Sequence, residues 1–152
     1  MSETTREKLL AIEYVNDVKD KSLSGLFSPS DIDSCSLALY YKMLKIEGKS
    51  RTSIASRKNM DRGLDSEKRF GEYLASTGDL IARQVDLFND CPPAHGKMDF
   101  LILEQGEVKI IEHTTKSFFV YRNLKSAPEN KVRQWQIYSG WSGIKNGYIT
   151  VD

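Results

Sequence analysis

The chain has 152 residues, 39% hydrophobic and 28% charged, the length and composition of one domain that closes a single core. No apolar run approaches the roughly 20 residues needed to span a bilayer, and the polar opening MSETTREKLL is expected to be neither a signal nor a transit peptide. The net charge is only +1, but nine Lys/Arg against four Asp/Glu lie between Lys42 and Arg69, and six against two from His113 to Asp152. A polyanion responds to local potential rather than to the sum. Charge alone therefore leaves a phosphate-binding surface and a solvated mixed-charge surface equally open. Cys35 and Cys91 are far apart and no CxxC pair exists, so neither a zinc site nor a disulfide framework is indicated, and a reducing cytoplasmic compartment is expected.

Residues 5–20 carry Leu9, Ile12 and Tyr14 or Val15 at helical spacing. SLSGLFSPSD reads as a loop, with Ser28 or Ser30 capping a helix SDIDSCSLALYYKMLKI that ends near Gly48. KSRTSIASRKN is polar and expected to be loose. A second helix is expected from about Met60 to Ser76, stopping at Gly78. IARQVDLFN reads as a strand ended by Asn89-Asp90-Cys91-Pro92-Pro93. MDFLILE and EVKIIEHTTK form a hairpin across Gln105-Gly106, NKVRQWQIYSGW a helix, and GYITVD a last strand. The expectation is one α/β domain over 1–152, with 1–26 as a helical extension.

The hairpin is the informative element. A two-residue turn at Gln105-Gly106 places Glu104 opposite Glu107, Leu101 opposite Ile110 and Asp99 opposite Glu112. Directly opposed Cβ atoms are about 4.5–5.5 Å apart, and like charges there repel. Two carboxylates held that close want a proton or a cation between them, and one or two carboxylates plus substrate phosphate are the usual setting of Mg²⁺. Strand alternation puts Glu112, Thr114 and Lys116 on one face, where a lysine can orient a water or offset charge developing on phosphorus. The plainer alternative makes Asp99 and Glu112 solvated strand-end residues with Lys116 as their surface partner. On the preceding helix, Leu64, Gly71 and Leu74 make a stripe with Phe70 beside it, and Glu67 falls inside that stripe. A carboxylate on a core-facing stripe wants a partner: the same cation, or Arg62 or Arg83.

Four local patterns resemble the RecB/Cas4-like branch of the PD-(D/E)xK nucleases, between about Phe27 and Asp152. SPSDIDSCSLALYYK resembles that family's opening helix. Arg62-Gly63-Leu64-Asp65-Ser66-Glu67 resembles its G-x-x-x-H helix. Gly96-Lys97-Met98-Asp99 with Ile111-Glu112-His113-Thr114-Thr115 resembles its G-x-x-D … (D/E)-x-K-(T/S) core, and Gln134 to Tyr138 its Q-x-x-x-Y motif. Two positions depart: Glu67 stands where the family has a metal-binding His, and Thr114 where it has the catalytic Lys.

The resemblance implies a restriction-endonuclease-like α/β core, a small mixed sheet in the order α-β-β-β-α-β with extra N-terminal helices. It implies Mg²⁺ or Mn²⁺ held by Glu67, Asp99, Glu112 and the carbonyl of His113, with Lys116 standing in for the lysine missing at Thr114. The expected partner is single- or double-stranded DNA. Gln134 and Tyr138 are expected to position it, with Lys131, Arg133, Arg122 and Lys125 as further phosphate contacts. The implied reaction is hydrolysis of DNA phosphodiesters; a degenerate DNA-binding protein of the same fold and a metal-dependent RNA endonuclease are the alternatives. Cas4-type clusters need three cysteines near the C-terminus, and nothing follows Cys91, so no iron–sulfur cluster is expected. Cys35 is expected to be a buried helix residue, the side chain of His113 to be structural and His95 to be a loop residue. No membrane association is expected, and an oligomer is possible but not predicted.

Overall fold

The computed structural model describes residues 26–46 and 53–152. The helix expected over residues 5–20 lies outside them, and so do residues 47–52. Ser28 caps a 3₁₀ turn, Pro29–Asp31, through a capping box with Asp31, so the expected cap is present. The helix beyond it is interrupted, resuming only as α1, Ser36–Met43, with Cys35 as its N-cap. Cys35 is accordingly exposed rather than buried, a correction that follows from its place at the helix mouth. Helix α2, Ile54–Thr77, starts earlier than its apolar periodicity suggests because the Ser53 side chain accepts from the Ser56 N–H and caps residues expected to be loose.

Four strands follow: β1 (Leu80–Asp90), β2 (Pro93–Glu104), β3 (Glu107–Thr114) and, after two helices, β4 (Gly147–Val151). They form one sheet in the order β1-β2-β3-β4, antiparallel for the first two pairings and parallel for β3 with β4. The chain is an α/β protein with an open mixed sheet, as expected. β2 begins before the expected Met98, so His95 is a strand residue rather than a loop residue; it pairs with Phe88 and its Nε2 meets Asp86 at 2.8 Å. The β2–β3 turn has left-handed Gln105 (φ 53°) and Gly106 (φ 80°), the two-residue geometry that matches strand twist and that glycine adopts without steric cost.

That turn sets the register anticipated from the sequence, with Leu101 opposite Ile110 and Glu104 opposite Glu107. Alternation then sorts the core. Val85, Leu87, Met98, Leu101 and Ile110 pack on one face with Tyr138, Ile144, Trp135 and Trp141. Tyr138, Trp135 and Trp141 belong to the helix Glu129–Ser142, numbered α4 because the short helix α3 (Phe118–Arg122) precedes it. Phe100, Ile102 and Ile111 pack on the other face with Leu74 and Phe70 of α2. The sheet is thus sandwiched between α2 and α4. The buried positions of α2 are Ser66, Gly71 and Leu74, whereas Leu64 is 66% exposed; the expected stripe is rotated by part of a turn.

Met98 and Leu101 lie in the same cluster although three residues apart. The alternation therefore slips between them, next to Asp99.

Candidate metal centre

The continued register sets Asp99 across from Glu112, and at this point the ladder changes character. The His113 N–H donates to Asp99 Oδ2 at 2.8 Å, so the strand end closes on a side chain instead of a carbonyl. On the other side of β2, the pairs Arg83↔Phe100 and Val85↔Met98 bring Gln84 opposite Asp99. Gln84 takes a left-handed φ of 50°, a conformation that costs a non-glycine residue on the order of 1–3 kcal/mol and persists only where its neighbours enforce it. Its side-chain amide donates to Glu67 Oε1. Gln84 has no sequence signature and was not anticipated.

Glu112 is fully buried. Its Oε2 receives Lys131 Nζ, from the first turn of α4, at 3.3 Å, while Oε1 has no hydrogen-bond partner and is the one such buried side-chain oxygen or nitrogen among the described residues. Burial, reinforced by the charge of Asp99 and opposed by Lys131 and by the nearby Asp99 backbone N–H, pushes the Glu112 carboxyl up to about 8. Burial likewise raises Asp99 to about 6; its bond from His113 N–H and the charge of Lys131 resist this, and Glu67 adds to it. A fully buried carboxylate with an idle oxygen beside a second carboxylate is a costly arrangement unless a proton or a cation joins it.

The anticipated ligands are thus brought together in part. Asp99 and Glu112 meet. Glu67, half-buried on α2, acts on Asp99 through space, but its Oε1 is turned to Gln84; among the described residues no three His, Cys, Asp or Glu side chains are gathered into a ready-made cage. The convergence of three carboxylates is corrected to a pair with a nearby third. Such a pair still fits Mg²⁺ or Mn²⁺, hard ions that complete their shell with water and substrate oxygens.

Lys116 does not join the pair. β3 stops at Thr114, and Lys116 lines a separate hollow with Asn59, Arg62, Thr115 and Ser117 while its N–H bonds to Asp152 O. Thr114 lines an open pocket of about 310 Å³ with Met60, Gly63, Glu67 and His113. The cation at the carboxylates is Lys131, anticipated only as a phosphate contact. Its spacing to Gln134 and Tyr138, three and then four residues along one helix face, was the available signal.

Tyr138 is also corrected. It is 1% exposed and cannot touch DNA; its hydroxyl donates to Lys97 O at 2.9 Å and accepts from Lys97 N at 3.2 Å and from the buried Gln134 amide at 3.2 Å. These bonds clamp α4 to β2 two residues before Asp99. Gly96 permits that clamp, since a Cβ there would stand 2.5 Å from the Tyr138 ring and 2.9 Å from Pro29. Arg133 is held by Asp33 (2.9 Å) and Glu129 rather than offered to a phosphate.

The side chain of His113 points away from Glu112, as expected. Its Nε2 meets Ser66 Oγ at 2.8 Å, its Nδ1 meets Thr150 Oγ1 at 2.9 Å, and Phe70 stacks on the ring at 4.8 Å. Ser66, which also donates to Asp152, ties α2 to the end of the sheet and was not singled out in the sequence.

No family model, curated protein or solved structure matches the chain. Among the described residues, no helix is long and apolar enough to cross a membrane.

Proposed function

We propose that the chain is a divalent-metal-dependent nuclease of the PD-(D/E)xK type that hydrolyses DNA phosphodiester bonds, on a core of the restriction-endonuclease kind. The observation that carries this reading is the idle Oε1 of the fully buried Glu112 beside Asp99. The core order of helix, three antiparallel strands, helix and parallel strand supports it, as does the hairpin register.

Asp99 and Glu112 are the residues to hold Mg²⁺ or Mn²⁺, with Glu67 and the His113 carbonyl beside them. The bound ion supplies Lewis acidity and a water of lowered pKa. The chain's own part is electrostatic and positional. Lys131 sets a positive charge against Glu112, where it orients the attacking water and offsets charge on the phosphoryl oxygens. Tyr138 and Gln134 hold the strand that bears Asp99 in register. Arg122 and Lys125 lie on the surface beyond β3, where they contact flanking phosphates without reading sequence.

The test is incubation of labelled linear, circular and single-stranded DNA, and of RNA, with Mg²⁺, Mn²⁺ or EDTA. Metal-dependent cleavage of DNA that disappears in Glu112→Ala is expected. Cleavage of RNA alone would move the substrate class. Salt-sensitive DNA binding without any cleavage would establish the degenerate binder, a reading favoured by Thr114 at the family's lysine position.

A further inference from the structure

Helix α3 exposes its aromatic side chains. Phe118 is 68%, Phe119 77% and Tyr121 52% exposed, and the two phenylalanine rings meet edge to face at 6.0 Å. In a fold whose sheet faces are covered, three bare rings on one short helix are an apolar surface in want of a partner. Cations flank them along the chain. From His113 to Pro128 the chain has Lys116, Arg122 and Lys125 and neither Asp nor Glu. Among the described residues these three are in no ion pair, as is true of most lysines and arginines there, and so they are open to an anionic ligand. Between α3 and the start of α4 lies an open hollow of about 660 Å³, within the size range of ligand pockets; Phe119, Val120, Leu124 and Lys125 line it, Phe118 and Tyr121 stand outside it, and its one acidic residue, Glu129, is paired with Arg133. It ends at the first turn of α4, where the Lys131 N–H bonds to Pro128 O and the Lys131 side chain meets Glu112.

We infer that this hollow and the rings of α3 form a stacking platform for unpaired bases, so that nucleic acid reaches the carboxylate pair as a single strand. Free cations beside exposed rings match the two parts of such a ligand: phosphates against Arg122 and Lys125, and base faces against Phe118, Phe119 and Tyr121. Every base has a π-face, so a platform of this kind tolerates any sequence. A duplex keeps its bases stacked on one another and offers the rings nothing, so single strands are preferred. A protein partner is disfavoured because the unpaired cations flanking the rings call for a polyanion. The inference rests on the nuclease reading for what happens at the far end of the hollow, but binding tests it separately.

The experiment is fluorescence anisotropy of a labelled oligothymidylate and of a duplex of equal length with the full-length protein in EDTA, so that nothing is cut. Single-strand affinity above duplex affinity is expected, falling roughly 5- to 150-fold in Phe119→Ala and returning in Phe119→Trp. Both variants fold, because the ring is exposed. Arg122→Ala is expected to flatten the salt dependence, and Phe119→Ala to leave its slope unchanged. Equal affinity for strand and duplex, or strand affinity untouched by Phe119→Ala, overturns the platform even if DNA is cleaved. Ring-dependent strand binding without cleavage leaves the platform standing and removes the nuclease.

Discussion

Glu112→Gln replaces a buried carboxylate by a neutral group of the same shape, and the structure fixes the sign of its effect. Burial and the charge of Asp99 lift the Glu112 carboxyl from its ordinary 4.5 to about 8. Between those values the folded chain holds a proton that the unfolded chain has released, so stability falls as pH rises through the window. The displacement, which already includes the opposing charge of Lys131, corresponds to a loss on the order of a few kcal/mol above pH 8. Below pH 4.5, Glu112 is protonated and neutral in both states, and the Gln variant should melt with the wild type. Above pH 8 the variant should melt higher by about 5–10 °C for a chain of this size. Thermal unfolding of both proteins from pH 4 to 9 isolates this group together with its coupled neighbour Asp99, because the titrations of groups away from the pair cancel in the difference. Adding Mn²⁺ at high pH should then raise the melting temperature of the wild type and leave that of Glu112→Gln unmoved. Parallel profiles, or a variant less stable at every pH, would refute the claim that this carboxylate is held in want of a proton or a cation.

Further perturbations separate chemistry from scaffold. Lys131→Ala should lower the cleavage rate by roughly 10²–10³-fold, while Lys116→Ala, away from the pair, should change it little; single-turnover kinetics decide, and the reverse order would return the lysine role to Lys116. Tyr138→Phe leaves the Lys97 N–H and C=O without their buried partner and should cost about 1–3 kcal/mol in chemical denaturation, with DNA affinity in EDTA unchanged. Gly96→Ala drives a Cβ into the Tyr138 ring; it should destabilise by about 1–3 kcal/mol or more, and Gly96→Ala/Tyr138→Leu should recover part of the loss if that contact is the cause.

Short-range rules made much of the fold legible. The Gln105-Gly106 turn dictated the β2–β3 register, and with it the meeting of Asp99 and Glu112. Gly78 and Gly143, both left-handed, ended α2 and α4 where glycine was expected to do so. Errors arose where tertiary context overrode pattern. Ser53 caps a polar segment that periodicity left outside α2, and Leu64 shows that an apolar residue at helical spacing does not by itself mark the buried face. The site was half legible. Opposed carboxylates follow from strand pairing, but which lysine reaches them depends on how α4 crosses the sheet. Strand parity favoured Lys116 and the packing chose Lys131. Gln84 was invisible because a left-handed backbone at a non-glycine strand residue is enforced by its neighbours, not by its own side chain.

The most direct test of the central claim is a calorimetric titration of the wild-type protein with Mn²⁺ in buffers of different ionisation enthalpy at pH 7. The Asp99–Glu112 pair predicts uptake of the ion accompanied by proton release, since Glu112 carries a proton there until the ion displaces it, and no uptake by Glu112→Gln. Absence of any uptake by the wild type, or equal uptake by the variant, would contradict a metal centre at this hairpin.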